Sequence, residues 1–591
     1  MKQATPSRHI FDKLKNFYST IAAFFHRITP KFLQNYLALW APISLLLCLQ
    51  PMANWLNDKN QITDIGLPLI FCLISGALLA TIFYHAFIKN RFLALTFAII
   101  ANYAIVDRVD IKKELVWNFA KSSRFLNWIT DTLGLTVNLI ILVSLASVLL
   151  YFLFIKIEKV VKSKNWNLNI FFQGAVIAIV IAFGIQTVMV LHIALVKWPQ
   201  FFYQPSETIA NETLNKTDKK PDIYYIVPDR YTNQTVLKEQ FNFDNSNFTN
   251  FLKDNGFYIN PNAYGSYPNT ITSISSTFKA NYHNDLTKEF GSLDQPTAAT
   301  YFNTIHYSPV VRDLKKLGYS YYHLGTFYDL DNQAPLADHV YSLESQLTIL
   351  NHTFSLNNFT NKEFTRSIYA DIARYDLKIN GFEIFSFKDA SQPDFVKYKL
   401  SQLQKITSEP AGSKFVFAHF LVPHDPYFFN ADGSISDHPL IDNVGKPVKE
   451  KYTGQISFIN NQIKDLVAKI KEQTNNKAVI IIQADEGDYA SHFVDNPTDS
   501  MSISSDPNSN DDLLGLKLKY GVMAAYYIPE AQQKDLEIAA DNVNIFRLVL
   551  NTYFNANLSY LPKCSYAFKP DSIYKYTNIT QQLTGNNPNC P

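Results

Sequence analysis

The chain has 591 residues, 47% of them hydrophobic, with 53 Lys and Arg against 51 Asp and Glu and a formal net charge of +2. That length is too great for one domain, and a balance so close to neutral gives no reason to expect a nucleic-acid partner. The hydrophobic content is uneven: the first third carries nearly all the long apolar runs, and the rest alternates as a soluble protein does.

Residues 1–35 are basic, with Lys2, Arg8, Lys13, Lys15, Arg27 and Lys31. Ile10, Phe11, Leu14, Tyr18, Ile21 and Phe25 recur at helical spacing, which predicts a helix lying on an anionic membrane face. No small-residue cleavage site precedes the first apolar run, so a removable signal peptide is not expected. Five spans follow, near 36–56, 65–88, 92–107, 132–157 and 169–197. A span needs about 20 apolar residues, and the third run is short. Lys89, Arg91 and the Lys156–Lys164 cluster fall on the same side as the basic tail if there are five spans; Lys112, Lys113, Lys121 and Arg124 oppose this. An odd number of spans places everything after residue 198 outside the cytoplasm. The expected layout is a cytoplasmic segment 1–35, a five-helix transmembrane domain 36–197, a polar linker 198–220 and an extracytoplasmic domain 221–591.

From residue 221 the pattern becomes strands alternating with helices. Ile223–Val227 is an unbroken apolar and aromatic run that ends in Pro228, Asp229 and Arg230. Such a run fits a strand buried on both faces of a mostly parallel sheet. Phe241–Gly256 predicts a helix with a Gly stop, and Thr270–Ala280 a short helix. Val310–Leu317 and Tyr319–Leu324 predict a helix and a strand. Phe415–Leu421 predicts a second buried strand, ending at Pro423 and His424. Tyr452–Lys471 predicts a long helix, Val479–Gln483 a third buried strand, Tyr520–Ile528 a strand and Val543–Phe554 a helix. The class implied is an α/β sandwich with a mostly parallel central sheet.

Sites in such sheets form beyond the carboxyl ends of the strands. Asp229, Thr270, His419 with His424, Asp485-Glu486-Gly487 and His492 all sit at or just after such ends. Hard acids together with a hydroxyl suit a divalent metal, and a hydroxyl at a helix start gains from the free N–H groups there. Asp229 as a turn residue and Thr270 as a plain helix cap are the structural alternatives. Tyr267, Arg230 and Lys519 are further candidates near the site, although nothing separates them from surface residues. Cys564 and Cys590, an isolated pair outside the cytoplasm, fit one disulfide pinning the tail, with two unpaired thiols as the alternative.

The order strand–Asp229, helix-start Thr270, His419-Phe-Leu-Val-Pro-His424 and strand–Asp485-Glu-Gly487, outside a membrane anchor, resembles the alkaline-phosphatase superfamily. Within it the chain is similar to the sulfatase-like branch that holds membrane-anchored phosphoethanolamine transferases and lipoteichoic-acid-synthase-like phosphoglycerol transferases. The resemblance spans residues from about 220 to 560. It implies an alkaline-phosphatase-like fold, Thr270 as the nucleophile, and Asp229, Thr270, Asp485 and Glu486 as metal ligands. His419, His424 and His492 then bind the substrate phosphate. The metal implied is Zn or Mn, with Mg or Ca as alternatives. The donor is a membrane phospholipid, the acceptor an envelope glycan or lipid, and the location a bacterial-type inner (cytoplasmic) membrane with the C-terminal domain in the periplasm.

Two departures shape this expectation. Glu486 stands where the family has the histidine of Asp-His-Gly. The chain also has no Cys/Ser-x-Pro-x-Arg motif, so sulfate hydrolysis through formylglycine is not expected. A sulfatase-like hydrolase of sulfate or phosphate esters, and a binding protein of the envelope that has lost the chemistry, are the competing readings. A transporter finds little support, because the spans carry few internal charges.

Overall fold

The structure is a computed structural model that describes residues 220–293, 297–325, 334–349, 352–356, 377–379, 382–388, 391–410, 412–442, 444–488, 513–569 and 571–591, with scattered positions between 163 and 214. The five expected spans lie outside these residues, apart from isolated positions in the last. Among the described residues no helix is long and apolar enough to cross a membrane. His492 also lies outside the described residues.

The described residues belong to two compact units. The larger comprises Val196–Glu344 and Asp389–Pro591; Ser345–Lys388 belongs to the other. In chain order the larger unit begins with β1 (Ile223–Pro228), α1 (Gln234–Phe241), α2 (Ser246–Asp254) and β2 (Tyr258–Ile259). Next come α3 (Thr270–Lys279), α4 (Asn284–Phe290), α5 (Ala299–His306), α6 (Pro309–Lys316), β3 (Ser320–Leu324) and β4 (His339–Val340). In the other unit, β5 (Ser345–Ile349), β6 (His352–Leu356), β7 (Leu377–Ile379) and β8 (Phe382–Lys388) form an antiparallel sheet of order β6-β5-β8-β7. The larger unit resumes with α7 (Gln392–Ser408), β9 (Lys414–Phe420), α8 (Val448–Gln473), β10 (Val479–Gln483) and α9 (Leu513–Tyr520). It ends with β11 (Ala524–Tyr527), α10 (Gln533–Ala539), α11 (Ile545–Phe554), β12 (Tyr566–Ala567), β13 (Thr577–Asn578) and α12 (Thr580–Thr584).

The central sheet of the larger unit has the order β2-β11-β10-β1-β9-β3-β4. β10, β1, β9, β3 and β4 run parallel, and β11 runs antiparallel between β10 and β2. Every residue of β1, β9 and β10 is buried, which is why these strands read as unbroken apolar runs. The helices form two packed groups, α3 with α5, α6 and α11, and α2 with α7 and α8. Tyr225 in β1 meets Phe417 of β9, Phe278 of α3 and Phe546 of α11 at ring-centroid distances of 5.6, 6.1 and 5.7 Å. Alternating aromatic side chains thus lock α3 onto the strands.

Two expectations change. The helix expected over 241–256 starts later, as α2 over Ser246–Asp254, because the left-handed φ of 48° at Asn242 ends α1 and Asn245 is tied sideways. Its side chain donates to Tyr231 Oη at 2.9 Å and accepts from Asn460 at 2.8 Å. The strand expected from Tyr520 is shorter: Tyr520 ends α9, and β11 covers Ala524–Tyr527. Cys564 and Cys590 form a disulfide.

Candidate active site

Parallel register builds the site. Ile226 of β1 pairs with Ile482 of β10, so Asp229 and Asp485 each lie three residues beyond a matched pair. Val227 pairs with His419 on the other side of β1, and the Asp229 N–H donates to Phe420 O at 2.9 Å. Three adjacent strand ends therefore deliver two carboxylates and an imidazole to one point. His419 Nε2 lies 3.5 Å from Asp229 Oδ2 and 3.6 Å from Asp485 Oδ2, and all three side chains are fully buried.

Those atoms lack partners within the protein. Asp229 Oδ1 and Oδ2, His419 Nε2 and Asp485 Oδ2 are buried without a hydrogen-bond partner. Burial, then the charges of Asp485 and Glu486, push the Asp229 carboxyl well above its ordinary range. Burial also raises Asp485, but the His419 imidazole, the Thr270 hydroxyl and the Glu486 N–H outweigh it and hold Asp485 below the usual range. A bound cation resolves the conflict between these acids. One atom from each of the three residues lies within 4.8 Å of the others. Tetrahedral ligands about 2.1 Å from a metal are roughly 3.4 Å apart, close to the separations observed here. The residues present fit a divalent metal. Asp229, His424 and Glu486 form a second such grouping, but there Glu486 is already engaged elsewhere.

Thr270 opens α3 beside these carboxylates. The cap is not Thr270 but Asn269, whose side chain accepts from the Thr272 N–H. Thr272 spends its own hydroxyl on Asn269, at 2.8 Å to Oδ1. The Thr270 hydroxyl is thus free of capping duty and lies against Asp485. The amides of Thr270 and Ile271 fall outside the helix ladder and favour an anion there.

These groups face a cavity of about 340 Å³ lined by Thr270, Arg230, His424, Glu486 and Lys519, with Ile271, Ala298, Phe568 and Ile573 as an apolar wall. Arg230 Nε donates to Glu486 Oε1 at 3.0 Å, and Lys519 Nζ lies 3.7 Å from Glu486 Oε2. Arg230 also pairs with Asp425 through Nη1. Its backbone is left-handed at φ 60°, and its carbonyl accepts from Tyr452 Oη at 2.7 Å. Such strain in a non-glycine residue persists only where the surroundings fix it. His424 follows the first of two cis peptides, Val422–Pro423 and Asp425–Pro426. Burial and the Arg230 charge push its imidazole down to about 4.

The structure therefore brings together Asp229, Thr270, His419, His424, Asp485 and Glu486. The two histidines part in role: His419 lies between the acids, and His424 lines the cavity. The sequence placed Arg230 and Lys519 near the site without separating them from surface residues, and gave Asp425 no role beyond a turn. The signal for Arg230 was its place directly after Asp229 at a strand end.

No family model matches the chain, and no curated protein matches it. Among solved structures, the periplasmic domain of EcEptC from Escherichia coli in complex with Zn matches with a TM-score of 0.40 at 11% identity, over 65% of this chain and 99% of that one. The lipooligosaccharide phosphoethanolamine transferase EptA from Neisseria meningitidis matches with a TM-score of 0.38 at 10% identity, over 87% of this chain and 95% of that one. BT1596, a 2-O GAG sulfatase, matches with a TM-score of 0.35 at 13% identity, over 59% and 78%. At these TM-scores the reading of the site rests on its own residues.

Proposed function

We propose that the chain is a membrane-anchored, metal-dependent phosphotransferase or phosphoesterase that acts on an envelope lipid or glycan through Thr270. The observation that carries this reading is the set of buried, unpartnered ligand atoms of Asp229, His419 and Asp485 beside a threonine hydroxyl at a helix start. Asp229, His419 and Asp485 would hold the metal, with the Thr270 hydroxyl next to it. Bound there, Zn or Mn would polarise a phosphoryl oxygen and make the Thr270 hydroxyl easier to ionise.

Thr270 Oγ1 attacks phosphorus and gives up its proton; the ester P–O bond breaks, and the leaving alkoxide takes a proton to depart as an alcohol. An acceptor hydroxyl, or water, then attacks the phosphothreonine, and Thr270 regains its proton. The free amides at the start of α3 face the anionic group, and the apolar wall excludes water from one side of the cavity. That wall suits the uncharged part of a phospholipid donor. Localisation follows the same reading: spans within 36–197 in an inner membrane, and residues 221–591 on the periplasmic side.

The test uses the detergent-extracted full chain. Metal content and intact mass are measured after incubation with phospholipid. Stoichiometric divalent metal and an adduct lost in Thr270→Ala support the reading. A folded protein with neither metal nor adduct overturns it in favour of a non-enzymatic envelope-binding protein.

A further inference from the structure

We propose that Arg230 and Lys519 form the clamp for the substrate's tetrahedral oxyanion, and that Glu486 is a displaceable internal counter-ion, not a metal ligand. This rests on the catalytic reading above only for what the clamp serves. Both oxygens of the Glu486 carboxylate face cations: Oε1 accepts from Arg230 Nε at 3.0 Å, and Oε2 lies 3.7 Å from Lys519 Nζ. Glu486 and Lys519 are 4% and 7% exposed, so neither ion is well solvated. A carboxylate bridging a guanidinium and an ammonium in such a place holds the position that a phosphoryl or sulfuryl group would take.

The surroundings fit an exchange of anions. Arg230 is pinned by its backbone, with its N–H on Asp485 Oδ1 at 3.4 Å and its carbonyl on Tyr452. It keeps Asp425 as a second partner when Glu486 leaves. Lys519 is held beside Glu486 from below, because the Gly487 N–H donates to the Lys519 carbonyl at 2.8 Å. All three side chains line the cavity that Thr270 and His424 also line. An added anion reaches the two cations only if Glu486 yields its place between them.

The test is inorganic phosphate and, separately, inorganic sulfate binding to the detergent-extracted full chain, measured by calorimetry with metal content in parallel. Glu486→Gln is expected to tighten oxyanion binding about tenfold while metal content stays at the wild-type level. Arg230→Gln and Lys519→Gln are expected to weaken binding about tenfold or more. Glu486→Asp keeps the charge and is expected to stay near wild type, which separates loss of charge from misfolding. A larger gain for phosphate assigns the clamp to phosphate esters, and a larger gain for sulfate to sulfate esters; either supports it. Loss of metal in Glu486→Gln, or oxyanion affinity that does not rise, overturns the proposal. If the wild type carries neither metal nor Thr270 adduct and Glu486→Gln still gains affinity, the catalytic reading fails and the clamp stands.

Discussion

Arg230 Nε donates to Glu486 Oε1 across 3.0 Å, although the two residues are 256 positions apart. The contact exists because β1 and β10 are neighbours in the sheet. It joins the side chain after one buried acid, Asp229, to the side chain after another, Asp485. The pair of acids faces inward to His419; the pair that follows them faces the cavity. One strand adjacency therefore produces both the buried acid pair and the charged cavity mouth beside it.

Metal loading is expected to stabilise the larger unit through Asp229, His419 and Asp485. A ligand at a hundred times its dissociation constant adds about 2.7 kcal/mol. Thermal unfolding of the full chain with and without added Zn or Mn should show this rise in the wild type. Asp229→Asn and Asp485→Asn should abolish it, while the metal-free melting temperature of Asp229→Asn holds or increases, because that change removes a charge that burial disfavours. A metal-dependent rise that persists in Asp229→Asn would remove that residue from the site.

Acid sensitivity is expected to come in part from His283. It is fully buried beneath α3, with Nε2 3.1 Å from Thr272 O and 2.9 Å from Ser275 Oγ, and Nδ1 without a partner. A second proton would sit on Nδ1, unpaired and beside Lys279. Burial, then that charge, pushes the imidazole down from 6.5 to about 3. Since the unfolded chain binds the proton more tightly, stability is complete above about pH 6.5 and falls as pH drops toward 3. The loss at pH 5 is about 2 kcal/mol. Denaturant unfolding at pH 7 and pH 5 should show that difference shrinking in His283→Gln. Equal losses in both proteins would rule out His283 as the sensor.

Much of this was legible before any coordinates, and the reasons are specific. β1, β9 and β10 are buried on both faces, so their apolar runs declared them, and the acids that end β1 and follow β10 marked the rim. Thr270 was legible as a helix start. Arg230 and Lys519 were not, because a cation in a sequence looks the same whether it meets water or Glu486. Only strand order separates the two cases. The histidines of His419-Phe-Leu-Val-Pro-His424 likewise looked equivalent until register placed His419 opposite Val227, inside the sheet. The break at Asn242 escaped notice because the apolar spacing runs through it, while the backbone there turns left-handed to let Asn245 bond Tyr231 and Asn460.

Cap and nucleophile are expected to separate cleanly at the start of α3. Asn269→Ala removes the acceptor of the Thr272 N–H and should cost about 1 kcal/mol in denaturant unfolding. Thr270→Ala leaves that cap in place and should unfold within about 0.5 kcal/mol of wild type while losing the phosphorylated species. Reversed costs would make Thr270 the cap and undo its assignment as nucleophile.

Gly487 is expected to tolerate no side chain. A Cβ there would strike the carbonyl oxygens of Leu518 and Gly521, both backbone, with Lys519 O at 3.1 Å. None of these can rotate away, and the Gly487 N–H already donates to Lys519 O. Gly487→Ala must therefore push the end of α9 away from the Asp485-Glu486 turn. Overpacking of this kind costs about 1–3 kcal/mol. The displacement also carries Lys519 away from Arg230 and the cavity, so oxyanion binding should weaken together with stability. Ile470→Ala is the control: it is equally buried, near the end of α8 that leads into the start of β10, and it should lose stability while keeping oxyanion affinity. If Gly487→Ala binds phosphate as the wild type does, the close approach of these two backbones has no part in holding Lys519 at the cavity.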